Sequence, residues 1–334
     1  MTIENGKNRE YRFLFIMDPY ETLNLETETS LLLMNELMSL GHEVFWTEPS
    51  LLYLEQNKVF GFIKPVLSVE PFSTDAEKED TLDQFDVVLI RNDPPFNINF
   101  LHLTYILDFL SPEVTQINPV GSIRAANEKL FALNWPEFVP PTITTMNLKA
   151  LIGFLKRHGK IVVKPIEDCS GRGIELVEAK QPGAENRIKS LIFGENGKPR
   201  FVTAQKYLSE VKKGDKRVYL VDGEPVGIVN RLPAEGSFLA NIHQGARCEK
   251  ADLTEKEKKI IKALSPLLKQ KGLFLVGLDL IGEHITEINL TSPSAVRQIN
   301  QVTGERIEKK IVAAMLNHVQ RHKNGNSEKK IATR

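Results

Sequence analysis

Two cysteines in 334 residues, Cys169 and Cys248, are too few for a disulfide framework and lack the spacing of a zinc site. A reducing compartment is therefore expected. No apolar run approaches the roughly 18 residues that a membrane-spanning helix needs. Met1 to Glu10 is polar and mixed in charge, so neither signal peptide nor anchor is visible and the chain reads as cytoplasmic. Net charge is missing too: 43 Lys plus Arg balance 43 Asp plus Glu. Without a net field there is nothing to draw the protein to nucleic acid or to a membrane surface, which leaves small molecules reached through local charge as the expected partners. The chain also lacks internal repeats, low-complexity tracts and a convincing Ser-His-Asp or Cys-His set, so catalysis through a protein nucleophile is not expected.

What is present fills two or three packed lobes, since 334 residues exceed one ordinary core. Tyr11 to Met17 reads as a buried strand ending at Asp18-Pro19. Ser30 to Leu40 has helical periodicity closed by Gly41, and His42 to Thr47 returns as a strand, completing a β-α-β unit. Val87-Val88-Leu89-Ile90 is a second buried strand, stopped by Asp93-Pro94-Pro95 at the edge where open α/β sheets bind ligands. Asn118-Pro119 closes this lobe. Leu148 to His158 then reads as a helix, Lys160 to Lys164 as a strand, and Gly171-Arg172-Gly173 as a glycine loop before the strand Ile174 to Glu178. Phe201 to Tyr207, Arg217 to Val221 and Glu224 to Asn230 alternate like an antiparallel sheet, with a turn at Asp222-Gly223. Thr254 and Glu257 form a capping box for the helix Thr254 to Gln270; a further helix, Lys309 to Arg321, precedes a frayed polar tail.

The most informative segment runs from Asp279 to Pro293. Phe274 to Ile281 is apolar and β-branched, Gly282 interrupts it, and Ile285 to Leu290 alternates, so Glu287 and Asn289 share one face. A loop of Gly282-Glu283-His284 would set Asp279 across from Glu287, whereas a two-residue loop would turn it to the other face. Carboxylate and amide oxygens are what Mg²⁺ takes, although a Glu-x-Asn pair by itself is commonly a solvated face. Lys164 closes an apolar strand just before Pro165, where a lysine either contacts phosphate or snorkels at a sheet edge. Lys129 sits in a helix-like segment. Ser170, Gly171 and Gly173 can bring backbone N–H groups close to phosphate oxygens, though they match neither of the common nucleotide-binding glycine signatures.

The order of these features, together with Met17-Asp18-Pro19, Arg91-Asn92-Asp93-Pro94-Pro95-Phe96, Asn127-Glu128-Lys129-Leu130-Phe131, Gly214-Asp215-Lys216-Arg217-Val218, Val221-Asp222-Gly223-Glu224-Pro225, Gly277-Leu278-Asp279 and Thr286-Glu287-Ile288-Asn289 with Thr291-Ser292-Pro293, resembles bacterial glutathione synthetase of the ATP-grasp superfamily. The resemblance runs from Phe13 to about His318. It implies an α/β chain of three lobes: a Rossmann-like N-terminal lobe (1–122), a small α+β central lid (123–203) and a C-terminal α/β lobe with an antiparallel sheet (204–322), followed by a polar tail (323–334). It further implies ATP held between the last two lobes, with Lys129 and Lys164 on its phosphates, Ser170, Gly171 and Gly173 around them, and Gln205-Lys206-Tyr207-Leu208 along the adenine. Asp279, Glu287 and Asn289 would hold Mg²⁺, with Mn²⁺ as the alternative. Arg217, Arg231, Asn241 and Arg297 would contact the acceptor or the transferred phosphoryl group, and Asp18, Ser30, Arg91, Ser292 and Pro293 would hold the dipeptide.

The implied activity is ATP-dependent joining of γ-glutamylcysteine to glycine through an acyl phosphate, in a homo-oligomer as is usual in the family. Two departures keep an ATP-grasp ligase for another substrate pair, or a nucleotide-binding protein with little ligase activity, as alternatives. The span Leu232 to Gly245 reads as a mobile lid, but it is apolar at Phe238-Leu239-Ala240, with Leu239 where the family carries an arginine. This favours a less anionic or a larger substrate. The phosphate loop has Glu167-Asp168-Cys169-Ser170 in place of the usual glycines.

Overall fold

The computed structural model describes residues 9–167, 173–194, 197–242 and 245–332, with side chains to residue 325. Its first lobe comprises β1 (Arg12–Ile16), α1 (Ser30–Ser39), β2 (Glu43–Thr47), β3 (Leu52–Glu55), β4 (Lys58–Val69), β5 (Phe72–Thr74), β6 (Lys78–Thr81), β7 (Val87–Ile90), α2 (Ile98–Leu107), β8 (Thr115–Ile117) and α3 (Val120–Ala125). A central group follows: β9 (Thr142–Thr145), α4 (Leu148–His158), β10 (Lys160–Pro165), β11 (Glu175–Glu178), α5 (Ala184–Phe193) and β12 (Val202–Lys206). The last comprises β13 (Asp215–Val221), β14 (Glu224–Leu232), β15 (Arg247–Glu249), α6 (Glu255–Gln270), β16 (Leu275–Ile281), β17 (His284–Asn289), α7 (Val296–Thr303) and α8 (Ile307–Ala332).

Each group builds its own sheet. In the first, β2, β1, β7 and β8 run parallel in that order, and β4 pairs antiparallel with β2 at one side. Parallel strands must be covered on both faces. Successive residues of β1 accordingly go to opposite cores: Phe13 and Phe15 pack with α1 and α8, while Leu14 and Ile16 pack with α2 and α3. The central sheet is antiparallel, in the order β11-β10-β12-β9, and buries Ile161, Val163 and Val177 against α4 and α5. The third sheet is antiparallel, in the order β15-β14-β13-β16-β17. Val218, Leu220, Leu278 and Leu280 on one face of it meet α6, which starts at the expected capping box of Thr254 and Glu257.

Three expectations are corrected. The last helix does not end at Arg321 but continues to Ala332, because Ile311, Val312, Met315 and Val319 anchor it in the N-terminal core and Thr115 and Asp86 engage His322 and Lys323. Lys129 stands on a turn between α3 and a short 3₁₀ segment instead of in a helix. The sheets also divide the chain differently from the expected boundaries. β12 spans residues 203 and 204 and belongs wholly to the central sheet, while Phe131 and Trp135 pack with α6 in the C-terminal core. Among the described residues no helix is long and apolar enough to cross a membrane.

The first and third lobes are joined through Asn118, which is 2% exposed. Its amide donates to the carbonyls of Leu275 and Leu290 at 2.8 and 2.7 Å and accepts from the N–H groups of Phe274 and Leu275 at 2.7 and 2.9 Å. One side chain thus satisfies four buried main-chain groups. Asn118→Ala is expected to lower the unfolding free energy by about 3 kcal/mol or more, because each orphaned buried group costs roughly 1–3 kcal/mol. Coincident urea midpoints for variant and wild type would remove Asn118 from this role.

Candidate active site

The candidate site grows from the face of the third sheet opposite α6. Leu278, Leu280, Ile285 and Ile288 enter the α6 core, so the residues in the other phase of the same strands, among them Arg217, Asp279 and Glu287, face the other way. The hairpin turns on two residues, Gly282 and Glu283, both at positive φ (54° and 62°). A regular two-residue hairpin would pair Asp279 with Thr286 and put Glu287 on the wrong face. It does not, because the register shifts after Leu280↔Ile285: Thr286 is the extra residue of a bulge, and Asp279 pairs with Glu287 and Gly277 with Asn289. The expected partnership of Asp279 and Glu287 is therefore met by a route different from the three-residue loop.

Asp279 is 5% exposed and lies between two buried guanidinium groups. Arg217 Nη2 donates to its Oδ2 at 2.9 Å, Arg217 Nε donates to its Oδ1, and Arg231 Nη2 reaches Oδ1 at 3.0 Å. Arg231 also pairs with Asp215 at 2.9 Å. Burial alone would raise Asp279, but the two guanidinium groups outweigh it and hold the carboxyl well below the usual range. Burial pushes Asp215 up to about 6 against the pull of Arg231. Asn289 donates to Asp279 Oδ2 at 3.3 Å and to the carbonyl of Gly277 at 3.2 Å. Both amide hydrogens are thereby engaged, which leaves its carbonyl oxygen as an acceptor.

Two lysines from different elements converge on this row. Lys129 Nζ lies 3.3 Å from Glu287 Oε1, and Lys164 Nζ donates to the carbonyl of Thr286, the bulge residue, at 3.3 Å. Both are almost fully buried, and desolvation pulls Lys164 below an ordinary lysine against the attraction of Glu287. Glu128, for which the sequence suggested no role, accepts from the N–H groups of Leu290 and Thr291 and from the Thr291 hydroxyl, and so fixes the chain leaving β17. Its position beside Lys129 in a distinctive block was the available signal.

Two cavities meet here. The first is open to solvent and spans about 670 Å³, with Val162, Ile174, Tyr207, Leu208 and Ile281 as apolar walls and Lys164 and Gln205 as polar ones. Lys206 lines it as well. The second, also open to solvent, spans about 770 Å³ and is polar, lined by Arg91, Asp93, Glu28, Arg217, Arg231 and Asn289 among others. Asn241, Asp279 and Glu287 border both.

The remaining expected residues divide. Ser292 lines the second cavity and donates to the carbonyl of Arg91, and the carbonyl of Pro293 accepts from Arg91 Nη2. Ser30 and Asp18 line neither cavity; Ser30 Oγ accepts from Arg91 Nε, and Asp18 accepts from the N–H of Asp93. Arg297 also lines neither, donating instead to the carbonyl of Glu28 at 3.0 Å and reaching Glu70. Gly173 stands against Pro165 at positive φ, outside both cavities. Ser170, Gly171, Asp168 and Cys169 lie outside the described residues. Cys248 is half-buried, with its thiol pushed up by burial.

Comparison with known proteins supplies the family. A family model of the N-terminal domain of prokaryotic glutathione synthetase matches residues 11–124, and one of its ATP-grasp domain matches residues 128–304. This chain belongs to the prokaryotic glutathione synthetase family. The glutathione synthetase of Mesorhizobium japonicum is 36% identical over 297 residues, 87% of this chain and 93% of that protein. That of Photorhabdus laumondii is 38% identical over 291 residues, covering 85% and 91%. Among solved structures, D-cycloserine synthetase DcsG superposes with a TM-score of 0.66 at 16% identity, over 92% of this chain and 99% of that one. The ATP-grasp ligase PsnB with minimal precursor, Mg and ADP gives 0.60 at 14%, over 92% and 98%. The fold is ATP-grasp, and the chain is an ATP-dependent carbon-nitrogen ligase of the glutathione synthetase family.

One departure from that family takes on a different meaning in three dimensions. Phe238 and Leu239 line the first, largely apolar cavity, and only Asn241 and Ile242 from this segment line the second. They are wall residues of the cavity that holds Lys164 and Gln205.

Asp279→Asn is expected to destabilise the protein by about 3–5 kcal/mol at neutral pH, because it takes from the buried Arg217 its carboxylate partner and from the buried Arg231 one of two. A carboxyl whose folded pKa is depressed contributes above its unfolded value and loses that contribution as pH falls through the folded one. The difference from wild type in urea denaturation should thus persist from pH 8 to about 4 and shrink only in stronger acid. A pH-independent difference below 1 kcal/mol would remove the buried network as its cause.

Proposed function

We propose that this chain joins the cysteine carboxylate of γ-glutamylcysteine to the amine of glycine with hydrolysis of ATP to ADP and phosphate. The observation that carries the reading is the shared border: an apolar-walled cavity and a polar one meet at Asn241, Asp279 and Glu287. ATP would occupy the first, its purine between Val162, Ile174 and Leu208 and its phosphates toward Lys164 and Lys129. The acceptor would occupy the second, its reacting carboxylate toward Arg217, Arg231 and Asn241.

A carboxylate oxygen attacks the γ-phosphorus as the bond to the ADP oxygen breaks, giving an acyl phosphate. The neutral amine of glycine then adds to the acyl carbon. The tetrahedral intermediate loses a proton and expels phosphate, leaving the amide. Lys129 and Lys164, buried where water cannot screen them, balance charge on the transferring group, and the second cavity holds the acceptor in line. Arg217 and Arg231 face the developing oxyanion while staying tethered to Asp279.

The oxygen set of Asp279, Glu287 and Asn289 suits a hard divalent ion, Mg²⁺ with Mn²⁺ as the alternative. The Asn289 carbonyl and the Glu287 carboxylate are ready donors. The two oxygens of Asp279 already accept from Arg217, Arg231 and Asn289, so it joins by exchanging one of those contacts. When bound, the ion supplies further neutralisation of phosphate charge.

Purified protein with ATP, Mg²⁺, γ-glutamylcysteine and glycine is expected to release phosphate and yield glutathione by mass spectrometry, with neither acceptor nor glycine sufficient alone. Turnover confined to another pair would sink the substrate assignment. Glu287→Ala should reduce kcat at least about 100-fold while the melting transition stays cooperative. Mg²⁺-dependent turnover at the wild-type rate would remove Glu287 from the metal set. Leu239→Arg, which places a cation in the nucleotide cavity, should change KM for ATP several-fold more than KM for the acceptor; the reverse ranking would return Leu239 to the acceptor side.

A further inference from the structure

A third cavity adjoins the other two, and the reaction proposed above places nothing in it. It is open to solvent and spans about 560 Å³ where the three lobes meet, with Phe96, Ile123, Ala126 and Ile166 as apolar walls. Pro94, Glu128 and Thr291 line both it and the second cavity. Lys129 lines it too, and the Nζ of that lysine lies 3.3 Å from Glu287, which borders the first and second cavities together. The third cavity thus ends at the place where the reacting groups held in the other two would meet.

Its width is set by side chains from different lobes. The N–H of Phe96, in the first lobe, donates to the carbonyl of Glu167, just past β10, at 3.1 Å, which draws Phe96 and Ile166 to one opening. The Phe96 ring is backed by that of Phe100, with centroids 4.8 Å apart, and the carbonyl of Ile166 accepts from the Asn127 amide at 3.4 Å. The cations along this wall are engaged elsewhere: Arg124 with Asp108 at 2.6 Å and with the carbonyl of Thr104, and Lys129 with Glu287. Glu167 is exposed and has no lysine or arginine within 4.0 Å among the described residues. Charge left over along the opening is therefore negative, which favours a group that arrives as an ammonium.

We propose that the third cavity is the port through which the amine substrate reaches the acyl phosphate, and that Phe96 and Ile166 hold it to the width of a small amine. With ATP in the first cavity and the acceptor in the second, the activated carboxyl is closed off on both sides, as an intermediate that water would hydrolyse must be. A separate port lets the amine enter while both of the other substrates stay in place. Phe96 and Ile166 then select by size and take no part in the chemistry. The inference rests on the reading above for the acyl phosphate.

The test is steady-state kinetics of the full chain with each substrate varied in turn. Ile166→Trp, whose larger side chain would fill the opening, should raise KM for glycine by about tenfold or more while KM for ATP and for γ-glutamylcysteine stays within about twofold of wild type. Positional isotope exchange in ATP with γ-glutamylcysteine alone reports formation of the acyl phosphate before any amine arrives, and it should be unchanged in this variant. Ile166→Ala widens the opening without adding bulk and serves should the first variant fail to fold; it should shift kcat/KM toward alanine over glycine by about tenfold. Equal rises in all three Michaelis constants, slowed exchange in a folded Ile166→Trp, or an unchanged preference between glycine and alanine in Ile166→Ala would overturn the proposal. A wild type that shows the exchange but uses an amine other than glycine refutes the substrate assignment alone, and the same KM comparison with that amine then decides the port. Neither exchange nor turnover with any amine refutes both.

Discussion

The register shift at Thr286 is the constraint on which the site depends. A two-residue turn at Gly282-Glu283 is compact and needs positive φ at both residues, but carried through without a bulge it would send Glu287 into the apolar core beneath α6. One inserted residue restores the phase, and it leaves the carbonyl of Thr286 available to Lys164 from the central sheet. The same irregularity therefore aligns the acidic row and receives the cation that faces it. Bulges that re-aim a side chain are a recurrent device beside functional sites, and here the reason can be followed residue by residue.

Around that row the protein holds charge in a nearly dry setting without leaving it uncompensated. Asp279 balances Arg217 and Arg231, Asp215 shares Arg231, and Glu287 faces Lys129. Buried charges of this kind are maintained only when each has a partner. The partners come from distant parts of the chain, so the site is complete only when the lobes are assembled. Asn118, bound to the backbone of β16 and to the chain just past β17, and α8, returning to the N-terminal core, are two of the ties that hold the first and third lobes in place.

Much of this was legible in advance. The apolar run Tyr11 to Met17 and the period-two alternation of Arg217 to Val221 located strands to within a residue or two, and the capping box at Thr254 and Glu257 located the start of α6. Lys164 was conspicuous because a lysine at the end of Ile161-Val162-Val163 breaks the pattern of its strand. Glu28, by contrast, carries no local signal: it lies in a polar loop before α1 and becomes notable only when Arg91 and Asp93, more than sixty residues on, are folded against it. The continuation of α8 was hidden for a related reason. Its last turns are polar, so periodicity alone suggests fraying, and it is the packing of Ile311, Met315 and Val319 together with the grip of Asp86 and Thr115 that carries the helix on.

By itself the sequence determined where several of the elements form, β1, α1, β2, β7, α4, β10, β13, β14 and α6 among them, and which side chains can carry the chemistry, because these follow from hydrophobic period, turn residues and side-chain type over spans of a few residues. Only the tertiary structure decided which face Asp279 and Glu287 share, that Phe238 and Leu239 line the apolar-walled cavity with Lys164 and Gln205, and that Ser30, Asp18 and Arg297 support the second cavity from outside it. Those outcomes depend on register and on contacts between residues far apart in the chain, where a one-residue shift reverses a strand's two faces and no local pattern records it.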